Sequence, residues 1–554
     1  MIERNFIKLY ETSFKENWDL NALTDYSENE TFTYQQVAAQ VARIHLIFDK
    51  LGVRKGEKIA IIGKNNTRWC ITYMAVVTYG AVIVPILQDF NPNDVHHIVN
   101  HSDSVLLFAG DQIWDNLEEE KLEHVRGVFS LTDFKCLHQR DGEDIRRQLK
   151  TLDSDFKKRY STGFSVADVS YANVPNSEIV LINYTSGTTG FSKGVMLTGN
   201  SLSGNVTFGI DSKLHFRGSR CVSFLPLAHA YGCSFDFLTP LATGGHVNLL
   251  GKIPSPKILL KAFEEIRPHL ICSVPLILEK IYRKQIVPKL GKTSIRWALT
   301  IPFVESKIYA KIRNSLVDAF GGEFSQIAIG GAPLNSEVEE FLMKIKFPFT
   351  VGYGMTECGP LISYSHFADF KAHSAGQILR GMEVRIDSPD PKNIPGEIVV
   401  RGEHVMQGYY KNEEATKAVL DKDGWLYTGD MGTVDDENHI FIRGRNKSMI
   451  LGASGQNIYP EEIEAKLNNL PCVMESLVIE KDGKLVALVY PDYETVDSMG
   501  VEVTDLSTLM EENRRALNKI VAPYESVSSI QLYPTEFEKT PKRSIKRYLY
   551  SSII

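Results

Sequence analysis

The run YTSGTTGFSKG, from Tyr184 to Gly194, decides how the rest of this chain is read. It follows an apolar stretch, residues 179–183, that reads as a short buried strand. Thr185, Ser186, Thr188 and Thr189 supply hydroxyls, Gly187 and Gly190 dispense with Cβ atoms, and Lys193 adds a positive charge. Glycines let backbone N–H groups approach phosphate oxygens, hydroxyls add further donors, and an ammonium balances charge. The GxxxxGK[ST] spacing of a P-loop is absent, so any phosphate cradle here is of another kind. The bland alternative is a flexible Ser/Thr/Gly surface loop.

Upstream, Thr33 reads as an N-cap. Val37, Val41, Ile44, Phe48 and Leu51 recur at helical spacing until Gly52 closes the segment. A strand over 58–62, a helix over 67–79 and a strand over 81–84 follow, the grammar of a parallel sheet with crossover helices. Residues 221–225, 270–273 and 326–329 repeat it, each apolar run ending in a Gly- or Pro-containing loop where open α/β sheets place ligands. Beyond roughly Gly376 short strands (397–401, 439–443) alternate with turns, the texture of a small β-rich subdomain. After Arg445 come a loop, a helix near 460–468 and a hairpin with Asp482-Gly483 at its tip.

At 554 residues, two or more domains are expected. Hydrophobic content of 43% and charged content of 23% are those of a globular protein, and a net charge of −7 argues against nucleic acid as the main partner. Cys70, Cys136, Cys221, Cys233, Cys272, Cys358 and Cys472 are scattered without a CxxC or Cys/His ligand spacing. That pattern argues against a structural zinc site and against a disulfide framework, and fits a reducing cytoplasm. The first residues lack the apolar stretch of a signal peptide. The most apolar stretch, 74–87, is too short to span a bilayer and contains Gly80 and Pro85, so no transmembrane segment is expected, and peripheral membrane contact stays open.

The order of the Tyr184–Gly194 run resembles the signature loop of the adenylate-forming superfamily, which includes acyl-CoA synthetases, luciferases and peptide-synthetase adenylation domains. Ser192 stands where that family usually has proline. Further motifs follow in the family's order: PLAHAYG (Pro226 to Gly232), IGGAPL (Ile329 to Leu334), VGYGMTECGP (Val351 to Pro360), DGWLYTGDMG with IFIRGRNKS (Asp423 to Ser448), and SGQNIYPEEIE (Ser454 to Glu464). The resemblance covers nearly the whole chain. It implies a large N-terminal α/β domain over 1–445, with parallel-rich sheets, crossover helices and a small β-barrel-like subdomain. A small, mobile α+β domain over 446–554 would be joined to it by a hinge at Lys447.

The resemblance also implies roles. Thr185, Ser186, Gly187, Thr188, Thr189, Gly190 and Lys193 would cradle ATP phosphates, and Gly331, Ala332 and Pro333 would border the nucleotide. Gly352, Tyr353, Gly354, Met355 and Thr356 would continue that border, with Tyr353 stacked on adenine and Thr356 at the α-phosphate. Thr185 and Glu357 would hold magnesium, as hard oxygen donors suit a hard cation. Asp430 would take the ribose hydroxyls and Arg445 assist there, although a turn cap and a surface ion pair are the structural alternatives. His229 would lie beside the acyl pocket, against a plain structural histidine, and Gly455 near coenzyme A.

Two half-reactions are implied: carboxylate plus Mg·ATP gives acyl-AMP and pyrophosphate, then the thiol of coenzyme A releases AMP. The family's adenylating lysine lies in a T-x-x-G-K-x-x-R pattern. Here Thr540 to Arg547 reads TPKRSIKR, which puts Ser544 at the lysine position. Lys546 is favoured as its replacement over Lys542, and a strand-like tail would put both on one face with Ser544. The wording VMQGYYKNEEATKAVLDKDGWLYTGD is closest to the long-chain fatty acyl-CoA synthetase branch, so a medium- or long-chain fatty acid is the expected substrate. Transfer to a separate carrier protein, or a weakly catalytic nucleotide-binding homologue, are the alternatives.

Overall fold

The computed structural model describes residues 4–185, 192–290, 298–451, 456–481, 483–499, 505–540 and 544–550. Helix α1 (Tyr34–Lys50) starts where its sequence dictates. Extended Thr33 accepts a hydrogen bond from the Gln36 N–H, and the Gln36 side chain accepts one from the Thr33 N–H at 2.8 Å. Its buried face carries Val37, Val41, Ile44 and Phe48. Strand β1 (Lys58–Ile62), helix α2 (Thr67–Tyr79) and strand β2 (Val82–Ile86) follow. Gly80 ends α2 at φ 89°, in the left-handed region that glycine adopts without Cβ strain. The apolar stretch at 74–87 is thus a buried helix end and a buried strand. No helix among the described residues is long and apolar enough to cross a membrane.

β1 pairs in parallel with β2 and with β3 (Ser104–Ala109), and β4 (Gly127–Ser130) lies parallel to β3. β5 (Cys136–Gln139) turns back antiparallel on β4. β6 (Ile179–Thr185) joins β2 in parallel, and β7 (Lys193–Thr198) returns antiparallel on β6. The eight-stranded sheet is closed beside β7 by the short strand Gly408–Tyr409. Its centre is parallel, as the strand–helix–strand pattern predicts. Its margins are antiparallel, because the β6–β7 connection is too short for a crossover helix.

A second, three-stranded parallel sheet runs in the order β8 (Ile271–Ser273), β9 (Ile327–Ile329), β10 (Phe349–Val351), with every residue buried. Burial on both faces is what parallel strands require, and their C-terminal ends deliver loops to one place. The β-rich region is a four-stranded antiparallel sheet of β11 (Met382–Asp387), β12 (Gly396–Gly402), β13 (Leu426–Val434) and β14 (Ile440–Arg445).

In the C-terminal α+β part, helix α3 (Pro460–Leu467) precedes β15 (Val473–Lys481) and β16 (Lys484–Pro491), then helix α4 (Leu506–Leu517) and β17 (Val527–Leu532). β15 and β16 form the expected hairpin, closed by Lys481↔Lys484, and Gly483 at its tip takes φ 72°. One hydrophobic cluster runs from Phe6 to Ile440; a separate one gathers Ile458, Ile463, Val478, Ala487 and Leu517.

Candidate active site

The β6–β7 hairpin places Thr185 directly opposite Lys193. Ser186, Gly187, Thr188, Thr189 and Gly190 lie outside the described residues. Lys193 Nζ sits 4.9 Å above the ring of Tyr409, a cation–π contact. The Tyr409 hydroxyl donates a 2.9 Å hydrogen bond to Oε1 of buried Glu357. Burial, reinforced by the Glu357 charge, pushes the Tyr409 phenol pKa well up, so it remains protonated and remains the donor. Tyr409 thereby ties Lys193 to Glu357, a link invisible in the linear sequence.

Glu357 and Thr356 are presented by the tight turn that follows β10. The Met355 N–H donates to Pro360 O at 2.8 Å, and a Cβ on Gly354 would lie 2.2 Å from that same oxygen. Only glycine fits there without moving backbone. On the neighbouring loop, after β9, Gly331 adopts φ 86° ahead of Ala332 and Pro333.

Asp430 and Arg445 are register partners on β13 and β14, with Arg445 Nε 3.1 Å from Asp430 Oδ1. The second carboxylate oxygen accepts the Tyr353 hydroxyl at 2.8 Å. Burial raises the Asp430 pKa, and the Arg445 charge and the Tyr353 hydrogen bond oppose that rise. The hydroxyl of the residue expected to stack on adenine therefore orients the residue expected to take ribose. Asp430 is neither a simple turn cap nor part of a wholly superficial pair.

His229 accepts a 3.4 Å hydrogen bond from the Tyr231 N–H, so it also shapes its own turn. Lys447 lies on the exposed turn Asn446–Ser448, and Gly455 lies outside the described residues. The tail differs from a continuous strand. Thr540 N–H donates to Ser544 O at 2.8 Å and Lys539 forms an isolated antiparallel bridge with Ile545, while positions 541–543, Lys542 among them, lie outside the described residues. The expected shared face of Lys542, Ser544 and Lys546 involves a position outside the described residues. Lys546 Nζ pairs with Glu538 at 3.4 Å, while Arg547 is bonded to buried Glu464 and lies 3.6 Å from Glu461.

All the described members of the predicted set, from Thr185 and Lys193 through His229, Glu357 and Asp430 to Lys546, line one cavity of about 3460 Å³. That exceeds the roughly 300–1,000 Å³ typical of a single small-molecule site, so more than one ligand has room. The donor set on this wall fits a nucleotide with a hard metal: hydroxyl and carboxylate oxygens from Thr185 and Glu357, and an ammonium from Lys193.

A family model described as "AMP-binding enzyme" matches residues 10–410. A 4-coumarate–CoA ligase of Narcissus pseudonarcissus is 28% identical over 96% of this chain and 90% of its own length. A long-chain-fatty-acid–CoA ligase of Mycobacterium bovis is 27% identical over 93% and 89%. Among solved structures, the anthranilate–CoA ligase AuaEII in complex with anthranoyl-AMP superposes with a TM-score of 0.79 at 18% identity, covering 100% of this chain and 97% of that one. O-succinylbenzoate coenzyme A synthetase of Bacillus subtilis, with ATP and magnesium ion, gives 0.73 at 20% identity over 98% of each chain. Acyl-adenylate formation and ligation to coenzyme A, using ATP and Mg2+, is the chemistry of such enzymes, and on the match over residues 10–410 this chain belongs to the AMP-binding enzyme family.

Proposed function

We propose that this protein activates a medium- or long-chain fatty acid in two steps, at the cavity shared by residues 1–445 and 446–554. In the first, the substrate carboxylate oxygen bonds to the α-phosphorus of ATP, and the bond from that phosphorus to the bridging oxygen breaks, releasing pyrophosphate. In the second, the sulfur of coenzyme A bonds to the acyl carbon, the thiol proton is lost, and AMP leaves. Magnesium, when bound, neutralises charge on the phosphates. The chain's own work is positioning and charge stabilisation. Thr185 and Glu357 would hold the metal, Lys193 and the loop that follows Thr185 the phosphates, Tyr353 and Asp430 the nucleoside. Lys546 would bridge carboxylate and phosphate as a point charge. Lys447 would be the hinge about which the smaller part turns for thioester formation.

One observation carries the choice of acid: the cavity that holds Thr185 and Glu357 is also walled by Phe224, Leu225, Leu250, Val274 and Ile277, beside His229. Apolar walls of that extent suit an alkyl chain. A second reading, an aromatic acid such as a hydroxycinnamate, has support in the 28% identity to the 4-coumarate–CoA ligase. A cytoplasmic location belongs to the same proposal, in keeping with seven cysteines that are all free thiols.

The test is a panel of saturated fatty acids of increasing length alongside 4-coumarate and benzoate, with ATP, Mg2+ and coenzyme A, reading AMP release. Highest kcat/KM on a fatty acid of eight or more carbons is expected. Preference for 4-coumarate would replace the proposal with the second reading. Acyl-AMP trapped by hydroxylamine without acyl-CoA would point to a carrier-protein acceptor instead.

A further inference from the structure

The hairpin that carries Asp430 and Arg445 turns at residues 435–439, well along the chain from Thr185 and Glu357. Asp435 organises that turn: its Oδ1 accepts the N–H groups of Glu437 (3.0 Å) and His439 (2.9 Å), and its own N–H donates to His439 O at 3.1 Å. As a result, the side chains of Asp435, Glu437 and His439 converge, with one ligand-type atom from each lying within 4.8 Å of the others.

The imidazole is the informative member. His439 is 3% exposed, and neither ring nitrogen has a hydrogen-bond partner. Its Nδ1 faces the two carboxylates, 3.5 Å from Asp435 Oδ2 and 3.7 Å from Glu437 Oε2. Buried polar nitrogens are nearly always satisfied, and an orphaned one facing two carboxylate oxygens calls for a partner that accepts electron pairs from all three. Metal–ligand bonds of about 2.0–2.2 Å in tetrahedral geometry put ligand atoms roughly 3.3–3.6 Å apart, close to the two separations here.

We propose that Asp435, Glu437 and His439 bind a zinc-class divalent cation at the tip of this hairpin. One imidazole with two carboxylates suits Zn2+, Co2+ or Ni2+ better than Mg2+, whose ligands are oxygens. Lys371 competes for the place: its ammonium lies 2.6 Å from Asp435 and 3.5 Å from Glu437, on a side chain 45% exposed. A divalent ion displaces that ammonium into solvent, and Lys371 sets how tightly the ion is held. The bound ion fastens the β13–β14 turn and, with it, the strands on which Asp430 and Arg445 are paired.

The experiment is equilibrium dialysis of the full chain against Zn2+ in excess Mg2+, together with the visible spectrum of the Co2+ form. One Zn2+ per chain, not displaced by Mg2+, is expected, and the Co2+ form carries no thiolate charge-transfer band. Glu437→Gln, at a side chain 67% exposed, keeps the fold and weakens binding by more than about 10-fold, the lower end of what losing even a supporting partner costs. Lys371→Met tightens binding. His439→Gln removes the nitrogen ligand and shifts the Co2+ spectrum. Should that variant not fold, Glu437→Gln and Lys371→Met decide the matter. Absence of stoichiometric Zn2+, or binding by Glu437→Gln equal to the parent, overturns the site.

Discussion

Tyr409 holds Glu357 from one side and Lys193 from the other: its hydroxyl donates to the Glu357 carboxylate at 2.9 Å while its ring lies 4.9 Å beneath the Lys193 ammonium. Two groups proposed for metal and phosphate are thus oriented by a third residue that lines the same cavity. Tyr409→Phe keeps the ring and deletes the hydroxyl. A hydrogen bond to a charged group is worth about 1.5–3 kcal/mol, so kcat/KM for Mg·ATP should fall roughly 10- to 100-fold. Cation–π support for Lys193 is retained. Steady-state kinetics across a Mg2+ titration check this, and an unchanged Mg2+ dependence would remove Tyr409 from the site.

Arg445 and Asp430 separate stability from binding. The Arg445 side chain is 66% exposed while that of Asp430 is 9% exposed, so the pair is screened by solvent from one side and its loss costs more than the about 0–1 kcal/mol of a fully exposed pair. Arg445→Ala should therefore lower the melting temperature modestly and raise KM for ATP several-fold. Asp430→Asn, which keeps an oxygen for the Tyr353 hydroxyl, should raise that KM further. Calorimetry and kinetics on the same samples distinguish a nucleotide role from a structural one.

Gly354→Ala would put a methyl group 2.2 Å from Pro360 O, which is backbone and cannot rotate away. A destabilisation of about 1–3 kcal/mol is expected from such overpacking. Urea unfolding reads it directly; a midpoint equal to the parent's would mean the turn relaxes freely.

Asp236 gives a pH signature. It is 1% exposed, its Oδ2 has no hydrogen-bond partner, and burial pushes its pKa up to about 8. Below its ordinary value near 4 the carboxyl is neutral in both folded and unfolded chains. Between there and about pH 8 only the unfolded chain releases the proton, so stability is lost progressively as pH rises. Asp236→Asn removes that loss, and its melting temperature should gain on the parent's between pH 4 and pH 8. The gain corresponds to on the order of 4–6 kcal/mol over the whole interval. Parallel curves for the two proteins would contradict it.

Lys546→Ala should impair adenylation far more than Lys542→Ala, measured as hydroxylamine-trapped acyl-AMP. Equal, parent-like activity in both would exclude Lys546 as the bridging cation and leave Ser544 unreplaced.

Much of the molecule was legible in the sequence because its signals are local. The Thr33 cap, the spacing of Val37, Val41, Ile44 and Phe48, and the Gly80 stop fix α1 and α2 through contacts a few residues apart. β1 and the parallel centre of the large sheet follow from runs too apolar to face water. The antiparallel margins were harder, since pairing of β7 with residues 408–409 joins segments over two hundred positions apart. In the C-terminal tail, the hydrogen bond from Thr540 N–H to Ser544 O is likewise not signalled by spacing along the chain.

The sequence by itself determined the family, the order of the motifs and the identity of the groups proposed for a nucleotide: Thr185, Lys193, Glu357, Asp430 and Arg445 stand in one recognisable series. Residue type sets what a side chain can donate, accept or charge, and local spacing sets where strands end. Only the tertiary structure decided how those groups are held: Tyr409 between Lys193 and Glu357, Tyr353 against Asp430, and His439 aimed at two carboxylates. These contacts depend on burial and on direction in space, and neither is written in the distance between residues along a chain.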